Sequence, residues 1–160
     1  MKRKDSRESA FLAEFELTFG HSSLDELLET VREEGEYGLD DFAESLLRLY
    51  EQHSFEVDEQ IRAHLKGWSD ERLSKTSLSL LRLSIAEMLY GEPDMDSVII
   101  NEAVELAKRY AGEKDYQFVN GLLGTVSRDR EAEKAACAEP AAQPAAAEPA
   151  EQSAADAAPC

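Results

Sequence analysis

The amino-acid sequence predicts an all-α protein, a compact bundle of seven or eight helices. Apolar residues recur at helical spacing along nearly all of the first 130 residues. No stretch shows the apolar–polar alternation that is typical of a β-strand, and the sequence contains no internal repeat. A chain of 160 residues is long enough for one domain with a substantial core and too short for two. We therefore expect one helical domain over residues 1–130.

Four helices are predicted in the first half of this domain. Gly20 suits the C-terminal end of the first helix, and Ser23 with Glu26 forms a capping-box pattern at the start of the second. A polar loop with glycines covers residues 33–38, and the fourth helix is expected to stop near Gly67. The apolar faces of the four helices are, in order, Phe11, Phe15, Thr18 and Phe19; Leu24, Leu27, Leu28 and Val31; Leu39, Phe42, Leu46, Leu49 and Tyr50; and Ile61, Leu65 and Trp68.

A short turn and three helices are predicted in the second half. Residues 69–73 can form the turn, and residues 78–90 are apolar almost all round, which predicts a central, buried helix. The next helix closes at Gly112. In the last helix, Gly121 and Gly124 each cost about 1 kcal/mol relative to Ala, which predicts a neighbouring helix too close for a side chain.

The last thirty residues, 131–160, differ from the rest in composition. They contain no Leu, Ile, Val, Met or aromatic residue and four of the five prolines. Such a segment cannot bury enough apolar surface to offset the entropy lost on ordering. We predict a disordered, acidic, Ala/Pro-rich tail, with helical structure only as an extension through residues 131–136. The tail carries a net charge of −5, which leaves −12 for residues 1–130.

Charge and composition count against several classes of protein. A net charge of −17 opposes nonspecific nucleic-acid binding, although it does not exclude a small basic site. Both cysteines, Cys137 and Cys160, lie in the tail, so no disulfide staples the core. No signal-peptide pattern follows the N terminus, and no stretch approaches the roughly twenty apolar residues of a membrane span. We therefore expect a cytoplasmic protein that does not contact a membrane.

The sequence contains no recognisable catalytic, metal-binding or cofactor-binding pattern. Its three histidines, His21, His53 and His64, are far apart and lack the spacing of metal ligands. There is no phosphate-binding glycine loop, no nucleophile elbow and no H-E-x-x-H helix. We therefore expect neither an enzyme nor a protein with a cofactor.

Basic residues are concentrated at the N terminus, where four of the first seven positions are Lys2, Arg3, Lys4 and Arg7. Such a cluster is often only a frayed, solubilising terminus. Alternatively, it is an arm that contacts RNA phosphates, with Arg3 and Arg7 on one face of the first helix. The sequence leaves both interpretations open.

The turn over residues 110–117 is the second candidate surface. It follows two basic residues and contains Lys114, and Tyr110 could stack on an unpaired base. Phe15 and Phe118 are further candidates for stacking, although aromatic residues at helical spacing are usually part of the core. An exposed turn of this kind often has no function. A function is favoured here because the turn occurs together with the basic N terminus.

Motifs along most of the chain occur in the order and spacing of a known family. They are Arg7-Glu8-Ser9-Ala10 with Ala13 and Phe15; Trp68, Arg72-Leu73, Leu80-Leu81-Arg82-Leu83 and Glu87; Ile100 through Lys108, which begins with Ile100-Asn101-Glu102-Ala103; and Phe118-Val119-Asn120-Gly121. Together they resemble the NusB family of bacterial transcription antitermination factors, over roughly residues 2–128.

The resemblance implies RNA and protein binding without catalysis. NusB proteins bind the boxA element of nascent ribosomal RNA leaders together with the ribosomal protein that acts as NusE. The complex joins an elongating RNA polymerase and suppresses premature termination. The implied RNA-binding residues are Arg3, Lys4, Arg7, Phe15, Lys114, Gln117 and Phe118. The implied partner-binding residues are Arg72, Ser77 and Glu87.

The chain departs from the family pattern at two places. Ser77-Leu78 stands where family members often carry an acid–base pair, and Asp5 and Ser6 dilute the basic arm. These departures keep an alternative open, a protein-only helical adaptor that docks the ribosomal or transcription partner without binding RNA itself. The family allows monomers and dimers, so a homodimer is also possible.

Overall fold

Seven α-helices make up the part of the chain that the structure describes. The computed structural model describes residues 2–20, 22–34, 39–65 and 73–142, and the side chains of all of these except residues 34 and 134–142. The helices are α1 (Arg3–Leu17), α2 (Leu24–Glu34), α3 (Asp41–Gln52), α4 (Ser54–Ala63), α5 (Lys75–Tyr90), α6 (Asp96–Tyr110) and α7 (Glu113–Ala142). The described residues contain no strand, which confirms the predicted all-α class.

Short polar side chains begin three of the helices. The backbone N–H of Glu26 donates to Ser23 Oγ over 3.2 Å, as the capping pattern predicts, and Ser74 accepts similarly at the start of α5. Asp40 has two roles. Its Oδ1 accepts from the backbone N–H of Ala43 over 2.9 Å, and its Oδ2 accepts from the buried hydroxyl of Ser6 over 2.6 Å. The cap of α3 therefore also holds the first turn of α1.

Helix α5 is the centre of the fold, as its nearly all-apolar sequence predicts. It packs against α1, α3, α4 and α6. The apolar residues of α5 that are most completely buried are Leu80, Leu81, Ile85, Ala86 and Met88. Charged residues are rare on such a helix, and the two that α5 buries or half-buries, Arg82 and Glu87, each form ion pairs with α1.

Arg82 lies in a cluster of partly buried polar groups between α1, α4 and α5. It forms ion pairs with Glu14 of α1 at 3.5 Å and with Asp58 of α4 at 3.3 Å, and it lies 5.1 Å from the ring centroid of Tyr50. Among the described residues, Arg82 Nε–H has no acceptor in hydrogen-bonding geometry. Burial raises the pKa of the Glu14 carboxyl to about 7. Burial also raises the pKa of Tyr50, whose hydroxyl donates to the Asp58 carboxylate.

Two predicted features of the helices are wrong. Helix α4 ends at Ala63 rather than near Gly67. The apolar periodicity continued because Leu65, which follows the helix, is itself buried. The explanation of Gly121 as a point of close helix approach also fails, because a Cβ there would meet no atom within 4 Å. Trp68 and the predicted turn around residues 69–72 lie outside the described residues.

The chain divides into two compact units, Met1–Val126 and Ser127–Cys160. The boundary lies within α7, whose helix continues to Ala142, beyond the predicted extension through residue 136. Nine of the twelve residues from 131 to 142 are alanine or glutamate, which are good helix formers, and the helix continues past Pro140. The disorder predicted for the rest of the tail concerns residues 143–160, which lie outside the described part of the chain.

The described residues contain neither a membrane-spanning helix nor a metal-binding cluster. None of the helices there is long and apolar enough to cross a bilayer. No group of three or more His, Cys, Asp or Glu side chains in the same residues is placed to hold a metal ion.

Candidate nucleic-acid interface

Three cations lie exposed at the start of α1: Lys2, Arg3 and Lys4. Lys2 occupies the N-cap position and Arg3 begins the helix. Basic groups are unfavourable at a helix N-terminus, so helix stability does not explain why these residues are there. The Arg3 guanidinium lies over the Phe42 ring, 4.0 Å from its centroid, and 3.9 Å from Glu92 Oε2. Both contacts leave it exposed to a ligand.

Arg7 is not part of this exposed group. Its side chain is 7% exposed, and its guanidinium donates to Glu87 of α5 through Nε at 2.9 Å and Nη2 at 2.6 Å. Its Nη1 donates to Glu102 of α6 at 2.5 Å. Although burial disfavours the charged form, the two carboxylates raise the pKa of Arg7 above its ordinary value. The structure therefore does not favour the predicted contact of Arg7 with an RNA phosphate, because each guanidinium nitrogen already donates to a carboxylate.

A cleft of about 270 Å³ lies between the exposed first turn of α1 and the last turn of α6. The residues that line it are Lys4, Glu102, Glu105, Leu106, Lys108 and Arg109. Lys4 from one helix and the Lys108–Arg109 pair from the other therefore face a common space. The sequence predicts that the N-terminal cations lie near the turn around Lys114. In the structure, Lys4 shares the cleft with Lys108 and Arg109 of α6.

Tyr110 lies beside this cleft and is 40% exposed. Its hydroxyl donates to Glu8 Oε1 over 2.7 Å, and Glu8 is also paired with Arg109. The hydrogen bond from Tyr110 lowers the pKa of Glu8, and the same bond raises the pKa of Tyr110. The Tyr110 ring packs against Phe11 at a centroid distance of 5.2 Å. The ring is thus held in place while part of it remains open to solvent.

The start of α7 continues the surface. Lys114 and Gln117 are exposed there, and Tyr116 is half-buried with Lys108 Nζ 5.2 Å from its ring centroid. Phe118 is half-buried and packs against the core.

Phe15 lies in a row of rings along α1. Its centroid is 6.2 Å from that of Phe11 and 5.1 Å from that of Phe19. The Phe15 ring is also half-buried and packed on the core, so core packing accounts for Phe15 and Phe118.

Two of the three residues predicted to bind the ribosomal partner are buried. Ser77 is 1% exposed, and Glu87 is the buried partner of Arg7. Their burial does not favour a direct contact of these two residues with another protein. Arg72, the third, lies outside the described residues. Leu78, next to Ser77, is half-buried and lines a cavity of about 110 Å³ with Ile61 and other residues of α4 and α5.

Sequence analysis missed Glu102 as a partner of Arg7. One signal was available, because an acid such as Glu87 in a helix that is otherwise apolar all round requires a buried cation. Arg7 was the candidate three residues before Ala10, on the same face of α1. The involvement of Glu102 depends on how α6 crosses α1, which no local pattern reveals.

Three comparisons place the chain among known proteins. The model of the NusB family matches residues 4–128. The transcription antitermination protein NusB of Clostridium botulinum (strain Kyoto / Type A2) is 39% identical over 140 residues, which cover 78% of this chain and 98% of the relative.

Two solved structures have the same fold. A chain in a crystal structure of a plectonemic RNA supercoil has a TM-score of 0.73 and 33% identity, over 81% of this chain and 97% of that one. A chain in a crystal structure of the antitermination factors NusB and NusE in complex with double-stranded RNA has a TM-score of 0.70 and 31% identity. This second match covers 79% of the present chain and 96% of the neighbour.

Proposed function

The chain belongs to the NusB family, and from this premise we propose that it binds boxA-type single-stranded RNA together with the ribosomal protein that acts as NusE. The family consists of transcription antitermination factors, not enzymes. In the proposed role the protein acts in the cytoplasm, where the RNA–protein complex joins RNA polymerase indirectly and promotes processive transcription of ribosomal RNA.

The exposed cations at the start of α1 are the observation that carries this proposal. Lys2, Arg3 and Lys4 are together on a domain whose net charge is −12. Helix stability does not require them there, and the cleft joins them to the basic last turn of α6. Phosphate contacts supply most of the affinity of such surfaces.

Exposed groups beside these cations suit unpaired bases. Tyr110 is held by Glu8 and Phe11 and is partly open to solvent. A base stacked on such a ring contributes about 1–3 kcal/mol. Gln117, with its amide, can read a base edge, and Lys114 can contact a further phosphate. The RNA would therefore extend from the first turn of α1 across α6 to the start of α7.

The structural neighbour that contains NusB, NusE and double-stranded RNA supports an RNA and NusE as partners, and the single-stranded boxA-type RNA is part of the proposal. Sedimentation of the free protein, at the concentrations used for binding, tests the predicted homodimer.

The test is a salt titration of RNA affinity with the ribosomal partner present. We expect tight binding to a boxA-type RNA, weaker binding to a scrambled RNA, and a linear fall of log K with log[salt]. The double variant Arg3→Ala/Lys4→Ala should reduce the magnitude of the salt slope by about 1.4, because each phosphate contact to single-stranded RNA contributes roughly 0.7.

A matched control removes two cations from the other end of the bundle. Arg62→Ala/Lys75→Ala changes the net charge equally. Lys75 lies 5.3 Å from the ring centroid of Phe19, beyond the last turn of α1, so it is remote from Arg3. We expect the control to keep the wild-type slope. If the complex of Arg3→Ala/Lys4→Ala with the ribosomal partner keeps the wild-type RNA affinity and salt slope, the RNA contacts lie on the partner, and the protein-only adaptor is the better account.

A further inference from the structure

Glu102 has a position that no other acidic residue of the site shares. On one side it accepts a 2.5 Å hydrogen bond from Arg7. On the other side it lines the cleft that also contains Lys4. Its side chain keeps 17% of its exposure, whereas that of Glu87, the other partner of Arg7, keeps 8%. A carboxylate in this position would repel a phosphate unless its charge were balanced.

The acidic groups around the cleft are each matched with a cation. Glu105 pairs with Lys108 at 3.4 Å, and Glu8 pairs with Arg109. Glu102 is matched only by Arg7 among the ion pairs of the described residues, and Lys4 takes part in none of those pairs. The ammonium of Lys4 is therefore available to a ligand, provided that Arg7 balances Glu102.

We propose that Arg7 is a positioning residue of the RNA surface. Arg7 balances the negative charge of Glu102 beneath the cleft, and Lys4 can therefore bind a backbone phosphate in the cleft. The inference rests on the proposed function, and it assigns the cleft between α1 and α6 as a phosphate site. Arg7 itself does not touch the RNA, because its guanidinium is buried and donates from all three nitrogens to carboxylates.

The geometry also explains why a fully buried arginine lies next to an exposed basic turn. Arg7 and Lys4 are three residues apart and are therefore neighbours on one side of α1. The side chain of Arg7 lies against Glu87 of α5 and Glu102 of α6, whereas that of Lys4 lines the cleft. An arginine suits this position because its planar fork can bind two carboxylates at once and does not lose its proton. A lysine there could not match both glutamates with the same geometry.

Two double variants with the same net charge test the proposal. Both replace Arg7 with Met. Arg7→Met/Glu87→Gln leaves Glu102 ionised at the cleft, and Arg7→Met/Glu102→Gln removes that charge and leaves Glu87, which lies deeper. RNA affinity and its salt slope are measured for both with the ribosomal partner, after circular dichroism has established that each is folded.

We expect the variant that retains Glu102 to bind RNA roughly fivefold more weakly than the wild type, the effect of one unit charge near a phosphate at the protein surface. The variant that retains Glu87 should bind within about twofold of the wild type. Both should keep the wild-type salt slope, because neither loses a phosphate contact.

Three results would overturn the inference. Equal losses with a slope reduced by about 0.7 would make Arg7 a direct phosphate contact. Equal losses with an unchanged slope would leave Arg7 a purely structural role, and equal retention would mean that the charge of Glu102 does not matter. If either variant is unfolded, the uncharged triple variant Arg7→Met/Glu87→Gln/Glu102→Gln replaces it, and this must bind at least as tightly as the wild type.

Failure of the proposed function gives a different pattern. If the unchanged protein does not bind the RNA, the proposed function fails and this inference fails with it. If the unchanged protein binds and the two double variants bind equally, only the inference fails.

Discussion

Two arginines, Arg7 (buried) and Arg82 (half-buried), join α1 to α5 with opposite polarity. At one end of the contact, Arg7 of α1 binds Glu87 of α5. At the other, Arg82 of α5 faces Glu14 of α1. Arg7 makes three hydrogen bonds of 2.5–2.9 Å, whereas the ion pairs of Arg82 are 3.3 and 3.5 Å long.

The difference illustrates that a buried charge is expected to stabilise a fold only when its partners satisfy it. Around Arg7 two carboxylates match every guanidinium nitrogen, and the pKa of Arg7 stays high. Around Arg82 the match is looser, and burial leaves Glu14 with a pKa of about 7. The cluster around Arg7 should therefore stabilise the packing of the helices independently of pH, whereas the stability that the cluster around Arg82 contributes should depend on pH.

Replacement of Arg7 by Met should have the largest effect on stability. It leaves Glu87 and Glu102 buried without their cation, and the loss of one partner of a buried pair typically destabilises by about 3–5 kcal/mol. Urea unfolding at pH 8 measures this loss, with Arg3→Ala, an exposed cation from the same turn, as the control. A loss below about 1 kcal/mol would mean that the cluster around Arg7 does not stabilise the packing of the helices.

The pH dependence of stability should report on Glu14. Its carboxyl binds a proton more tightly in the folded state than at its ordinary pKa of 4.5, so between pH 4.5 and 7 the folded protein holds more protons than the unfolded chain. Stability must therefore fall as pH rises through this window, by roughly 3 kcal/mol from this group. In Glu14→Gln this fall should vanish. Parallel pH profiles for the two proteins would contradict the raised pKa.

Replacement of Arg82 by Met should destabilise less than the same change at Arg7. The side chain of Arg82 is 22% exposed and its ion pairs are long, so we expect a loss of about 1–2 kcal/mol at pH 8. Loss of the cation should also raise the pKa of Glu14 further and extend the pH-dependent range upward. Urea unfolding at pH 6 and pH 8 would detect both effects. A loss equal to that of Arg7→Met would remove the distinction between the clusters.

The exposed end of α1 should contribute least to stability. Arg3→Ala/Lys4→Ala removes only solvated charges and one ring contact, so the free energy of unfolding should change by less than about 0.5 kcal/mol. A larger loss would place these cations in the scaffold, like Arg7.

The helical fold could be predicted because its signals are local. Apolar spacing identified each helix, and the unbroken apolar surface of residues 78–90 identified α5 as the centre. The apolar pattern gave a wrong helix end where a buried residue, Leu65, follows the last residue of the helix. Gly121 misled for the opposite reason, since a glycine in an exposed helix position has no packing role in the described residues.

The functional surface could be predicted only in part. Helical spacing correctly put Arg7 near Arg3, but it could not show which of them faces the core. Spacing does relate Arg7 to Ala10 and Glu14, which are both buried. Glu102 and Lys4, which are nearly a hundred residues apart in the sequence, line the same cleft, and that placement depends on tertiary packing.

Nuclear magnetic resonance of the arginine Nε–H groups during addition of boxA-type RNA and the ribosomal partner tests the central claim most directly. The account predicts that the backbone signals of residues 2–4 and 108–117 shift, while the Nε–H signal of Arg7 stays in place and remains protected from solvent exchange. A shift or loss of the Arg7 signal with unchanged signals from residues 2–4 would contradict it, because the RNA would then bind through the buried arginine and not through the exposed turn above it.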